Sequence, residues 1–205
     1  MIYRYVDVWN NWRKIHIKEQ IKKMIIDSIE NWIDEDIYAV SLYVYDYNDN
    51  PCKPTVTLGY NTESQVKSET KNAYDEDEAR WNYAFWIQNQ EFIFGENETA
   101  NTVKEWVESK GLPYYEDDNF DLDWNDDKLY EPLEKITQSF VSMLIEIVQE
   151  IHADGILSRK YGKELPILIH ELEYYDEIVQ QNIQANGPEL VKKFGIRSYN
   201  MNFSI

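Results

Sequence analysis

The chain has 205 residues, 43% apolar and 28% charged, enough to bury one sizeable core and of a length that points to a single domain over residues 1–205. Aromatic residues make up 15% of it, which excludes a disordered chain, and only seven Gly and six Pro exclude collagen-like and low-complexity classes. Its 38 acids against 20 bases leave a net −18, a charge that repels phosphates, so nucleic acid is not an expected partner.

In chain order, Ile17, Ile21, Met24, Ile25, Ser28 and Trp32 recur at spacings of three and four and predict an amphipathic helix. Lys14, Lys18 and Lys22 lie four apart on another of its faces; their simplest reading is a solvated face, with pairing to the acidic middle of the chain as an alternative. Tyr38, Val40, Leu42 and Val44 then alternate with Ala39, Ser41, Tyr43 and Tyr45, the period of a strand. A turn at Asn48-Asp49-Asn50-Pro51 and a second run with Val56, Leu58 and Tyr60 on one side complete a β-hairpin. Thr62 and Gln65 have the spacing of a capping box and predict a short helix starting at Thr62.

Residues 80–94 fit either two short strands or a buried helix around Trp81–Ile87. Thr102 and Glu105 form a second capping box, for a helix that turns Val103, Trp106 and Val107 inward and stops before Gly111. The longest helix is predicted from Pro132, taken as a first-turn proline, to about His152, with its stripe running from Leu133 to Ile151. A buried strand at Leu165–Ile169, a helix from about Tyr175 to Ala185 and a last short helix from Pro188 to Gly195 follow. Strands and helices are interspersed without regular βαβ alternation, so the expected class is α+β with a largely antiparallel sheet packed against several helices.

The amino-terminal stretch lacks the apolar run of a secretory signal, and no stretch approaches the roughly 20 apolar residues that span a bilayer. A cytoplasmic protein with no membrane partner is the expectation. Cys52 is the single cysteine, so no internal disulfide forms, and it is read as an incidental loop thiol. No phosphate-binding glycine loop, serine elbow or His-Glu-x-x-His motif occurs, and no cofactor is expected. His16, His152 and His170 have no ligand-spaced partners; His170 beside Glu171 is read as an ordinary strand histidine, with a general base as the minor alternative.

The charge is unevenly spread. Residues 34–127 hold 23 acids and six bases, a net −17, so nearly the whole excess lies in the middle of the chain. Within it, Glu116, Asp117, Asp118, Asp121, Asp123, Asp126 and Asp127 are interleaved with Tyr114, Tyr115, Phe120 and Trp124, and no base interrupts them. Asp121, Asp123 and Asn125 stand at positions one, three and five of a calcium loop, but Asp126 replaces its glycine and Pro132 its bidentate glutamate, so a specific metal site is not expected. Two readings remain. One is a docking surface for a basic protein, in which carboxylates steer the partner and rings supply contact energy. The other is a solvated acidic loop whose rings dock on their own domain.

Tyr38-Ala39-Val40-Ser41-Leu42-Tyr43, then Asn61-Thr62-Glu63, then Arg80-Trp81 with Trp86, resemble a bacterial family of unknown function, number 4303 among catalogued domains. Gly155, the Ile167–Ile169 strand and an acidic tail follow in the same order. The family brings no catalytic residues. Small acidic bacterial proteins of this style are often immunity partners encoded beside toxins, so the resemblance favours the docking reading, an inhibitor of a basic toxin; the contact segment, Tyr114–Asp127, is read from its charges and rings. The alternatives are a carboxylate-dependent hydrolase, which requires a cleft holding two acids and a histidine, and a structural or regulatory homodimer.

Overall fold

The two alternating runs form the hairpin at the centre of the molecule. Strand β1 (Ile37–Asp46) pairs antiparallel with β2 (Pro54–Thr62), Val40 opposite Tyr60 and Val44 opposite Val56, with a register shift between Ile37 and Ala39. The computed structural model describes residues 3–116, 127–172 and 175–201. Among them, β3 (Phe92–Phe94) adds antiparallel to β2, and β4 (Ile167–His170) adds parallel to β1, giving the order β3-β2-β1-β4. Two of the three pairings are antiparallel. The parallel one is long-range: it inserts β4, made more than 120 residues later, beside the strand that opened the sheet.

Eight helices cover the sheet among the described residues: α1 (Tyr3–Asn31), α2 (Glu63–Glu69), α3 (Glu76–Trp81), α4 (Ala100–Ser109), α5 (Asp127–Ala153), α6 (Ile156–Tyr161), α7 (Asp176–Asn186) and α8 (Pro188–Met201). The period-two pattern of β1 sends its side chains to two separate cores. Val40, Leu42 and Val44 join Ile17, Ile21, Ile25 and Ile29 of α1, Val103 and Trp106 of α4, and Leu133, Phe140 and Leu144 of α5. Each of those isoleucines is wholly out of water, worth about 2 kcal/mol of transfer free energy. Ala39 faces the smaller core, with Trp81, Trp86, Leu168, Ile178 and Phe194. The class is therefore α+β, as composition and interspersion implied.

The residues that carry the family resemblance meet in space beside this second core. Arg80 binds Glu63 through two bonds of 2.8 and 2.7 Å, and its guanidinium lies 4.7 Å from the centre of the Tyr38 ring. Trp86 Nε1–H and the Tyr38 hydroxyl both donate to the Arg80 carbonyl, and the Asn61 amide donates to the Tyr38 oxygen. This network fastens α2 and α3 to the hairpin.

Several boundaries differ from the sequence expectation. Residues 80–94 are neither of the two alternatives: α3 ends at Trp81, a 3₁₀ turn covers Tyr83–Phe85, and only Phe92–Phe94 is strand. Thr62 does cap α2, accepting from Gln65 N–H at 3.1 Å. The Thr102 box does not cap α4, which starts at Ala100 after a 3₁₀ turn whose Thr99 hydroxyl accepts from Gly95 N–H. Pro132 is inside α5 rather than in its first turn, and α8 runs past Gly195 to Met201. Lys18 and Lys22 are not a solvated face. They form a ladder with Glu146, Glu150 and Asp154 at the end of α5 and just beyond it, at 2.7–2.9 Å, which locks α1 to α5 rather than to the acidic middle segment.

Strand β4 is an edge strand, and α7 seals it. Asn182 accepts from Ile169 N–H at 2.8 Å and donates to Ile169 C=O at 2.7 Å; Asn186 does the same with Ile167 at 2.7 and 2.9 Å. Two amides four residues apart thus stand in for a neighbouring strand.

Candidate functional site

Strand β1 has ten residues and β4 four, and their pairing runs only from Val40–Ile167 to Tyr43–His170. Beyond Tyr43, the side of β1 that faced β4 opens into a cleft of about 870 Å³. Its walls are the end of β1, the β1–β2 loop at Asp49 and Pro51, the first half of α5, and the segment from Glu171 into α7.

Five carboxylates line it, Asp46, Asp49, Glu134, Glu171 and Glu177, and among the described residues no Lys, Arg or His does. Four tyrosines, Tyr43, Tyr45, Tyr130 and Tyr175, share the lining with an apolar floor that includes Val44, Leu133 and Val141. Tyr43 stacks on Tyr45 at 5.4 Å and on Tyr83 at 5.4 Å, so the rings form a row along the strand edge. The Tyr175 hydroxyl donates to Glu171 at 3.1 Å, and the Tyr45 hydroxyl to Glu96.

Several cations of the described structure are spent elsewhere: Arg80 on Glu63 and Glu76, Lys104 on Glu116, Lys135 on Glu131, and Lys18 and Lys22 on the carboxylates at the end of α5. None of the five cleft carboxylates makes an ion pair among the described residues. Asp46 feels this most. Partial burial, then the negative charges of Glu171 and Asp49, push its carboxyl up to about 6. A half-buried acid held among like charges, with no side-chain hydrogen-bonding partner among the described residues, is an unmet demand for positive charge. The carboxylates do not converge on a point, since no group of three or more His, Cys, Asp or Glu among the described residues is placed to hold a metal ion.

Some of the exposed hydrophobic side chains lie at or near the same place. Leu172, 71% exposed, follows Glu171, and Tyr130 and Tyr175 line the cleft itself. The Tyr115 ring is exposed, while its carbonyl accepts from Asn50 of the β1–β2 loop at 3.0 Å.

The segment expected to dock a partner is only partly within view. Asp117, Asp118, Phe120, Asp121, Asp123, Trp124 and Asp126 lie outside the described residues, and with them the calcium-like spacing. Tyr114 packs against the main core with Lys104 Nζ 5.5 Å from its ring centre. Glu116 pairs with Lys104, its carbonyl accepts from Lys53 at 3.0 Å, and Asp127 opens α5. The described ends of the segment thus border the cleft, one on the β1–β2 loop and one at the start of α5. Glu134, Glu171 and Glu177 do not stand out in the sequence, because they lie outside the acidic middle and only the β1–β4 pairing and the packing of α5 and α7 bring them to Asp46.

His170 is 1% exposed, behind Tyr43, Tyr83 and Trp86. Its Nε2 is 2.8 Å from Ser41 Oγ and its Nδ1 3.1 Å from the Glu171 carbonyl, and burial pushes its pKa down to about 4. It is a neutral core histidine, not a base open to the cleft. Cys52 is also buried, and burial raises its thiol pKa. Among the described residues no helix is long and apolar enough to cross a membrane.

An α+β domain with an acidic, tyrosine-lined cleft at an open strand edge is the class of protein these features define. The chain belongs to the family described as "Domain of unknown function (DUF4303)", whose model matches residues 17–182. No curated protein and no solved structure matches it.

Proposed function

We propose that this protein is an acidic binding protein that acts in the cytoplasm as an inhibitor or immunity partner of a basic bacterial toxin. The observation that carries this reading is the set of five carboxylates, in no ion pair among the described residues, around one tyrosine-lined cleft. Carboxylates at a concave site concentrate the field and speed the approach of a cationic surface, and exposed rings at the rim supply buried area at low entropic cost. The described ends of the acidic segment Tyr114–Asp127 border the cleft. Inhibition is then steric: the acidic face covers the cationic rim of the toxin's active site.

The test is a titration of the purified chain with the product of the neighbouring gene at roughly 50 mM and 500 mM salt, where screening changes several-fold. Binding that weakens by at least about tenfold at high salt, and again in Asp49→Lys with Glu171→Lys and in Asp121→Lys with Asp123→Lys, is expected. Binding insensitive to salt and to both double variants overturns the electrostatic reading.

One observation favours a second reading, a carboxylate-dependent hydrolase: Asp46, held near 6 beside Glu171, has the proton affinity of a general acid. Among the described residues the cleft lining holds no histidine, however. Turnover of glycoside or ester substrates that disappears in Asp46→Asn would establish that reading in place of the first.

A further inference from the structure

The hydrogen-bond parity of β1 adds a second feature to the cleft. Tyr47 N–H bonds the Lys53 carbonyl across the hairpin at 3.0 Å, so the odd-numbered residues of β1 aim their backbone groups at β2. Val40 N–H bonds the Pro166 carbonyl at 2.9 Å, so the even-numbered ones aim at the β4 side. The β1–β4 pairing ends at Tyr43–His170. The Val44 carbonyl and both backbone groups of Asp46 therefore point along the open edge, with no strand opposite them among the described residues. The cleft straddles this edge, lined by Val44 and Asp46, whose side chains project from one face of the sheet, and by Tyr43 and Tyr45, whose side chains project from the other.

We infer that the basic partner enters the cleft as an extended segment that adds to the sheet along Val44–Asp46, beyond the end of β4, with its Lys or Arg side chains reaching Asp46 and the surrounding carboxylates. This deepens the binding reading above and rests on it. Backbone pairing gives an added strand its affinity, and alternate side chains give it specificity. The carboxylates surround the edge without converging, which suits cationic side chains spaced along a strand rather than a single ion. Charge also selects the occupant: residues 117–126 of this chain carry five acids and no base, and the whole chain is −18, so neither that segment nor a second copy matches the cleft.

The test uses the full chain and a fluorescent heptapeptide of alternating Lys and Thr, followed by anisotropy. The controls are the Glu-for-Lys peptide and two versions N-methylated at alternate amides, one for each register. The lysine peptide is expected to bind and the glutamate peptide not to. One N-methylated version should lose affinity by at least about tenfold, the size of one lost backbone bond, while the other keeps it. Asp46→Asn should weaken the lysine peptide without lowering the melting temperature, and hydrogen exchange at the Asp46 amide should slow on binding.

Equal binding of both N-methylated versions, or no saturable binding of the lysine peptide at millimolar concentration, overturns strand addition. Should the neighbouring gene product still bind with salt sensitivity in that case, the acidic docking reading survives and only the strand geometry falls. Should that product fail to bind as well, both fall.

Discussion

His170 and Asp46 are ionisable groups held far from their ordinary behaviour, in opposite directions and for different reasons. His170 is starved of water, so its folded pKa falls from 6.5 to about 4. The unfolded chain then binds the proton more readily, and the stability this histidine contributes is intact above 6.5 and lost as pH falls from there toward 4. Asp46 is raised from 3.8 to about 6, so its contribution is intact below 3.8 and lost as pH rises through 6. Each swing amounts to roughly 2–3 kcal/mol, and the two oppose each other across the same window. Asp46→Asn removes one arm. Urea unfolding should find this variant more stable than the parent by roughly 2 kcal/mol above about pH 7, with the gap closing by about pH 4 and a steeper acid decline. A parent and variant of equal stability at about pH 8 would show that Asp46 is not strained by its neighbours. A carboxylate retained at a cost to the fold is what a binding role demands.

Among the elements, α7 shows how a helix can finish a sheet. Asn182 is fully buried and bonds both backbone groups of Ile169 as well as the Ile178 carbonyl. Only an amide has the donor and the acceptor this requires. Asn182→Leu keeps the volume but strands the Ile169 N–H, at an expected cost of about 3 kcal/mol, and Asn182→Asp sets an acceptor against the Ile169 carbonyl and should cost more. Chemical denaturation measures the loss, and light scattering should detect association through the uncovered β4 edge. Much of the element list was legible in the sequence. Alternation from Tyr38 to Tyr60 gives the hairpin, Thr62 the start of α2, and spacing from Leu133 to Ile151 the buried face of α5. The misplaced ends share a cause: Pro132 and Gly195 punctuate isolated helices, but packing against neighbours carries α5 and α8 past them. The amide ladder was not legible, because nothing in the local pattern of Asn182 and Asn186 names a strand as their partner.

For the whole molecule, the decisive arrangement is which acids are matched and which are not. The count of charge along the chain marks residues 34–127, yet the cleft draws Asp46 and Asp49 from that stretch and Glu134, Glu171 and Glu177 from beyond it. Sequence distance hides this because a parallel strand pairing and two helix packings bring the groups together. The lysine ladder of α1 is the counterpart: half-sequestered cations answered by three carboxylates. Replacing Lys18 and Lys22 by Met should cost about 1–2 kcal/mol, read by denaturant unfolding, with the difference shrinking in roughly 1 M salt. An undiminished difference at high salt would assign the loss to packing instead.

That ladder and the isoleucine stripe beside it also bear on how the chain is made. Lys18 finds its partner 128 residues downstream, and Ile17 to Ile29 are covered by side chains of α4, α5 and α6. On the ribosome, the hairpin can zip locally, but the amino-terminal helix waits with a greasy flank uncovered until most of the polypeptide has emerged. A nascent chain of this design exposes that flank for much of its synthesis, and one that stops before α5 is expected to be cleaved readily by proteases.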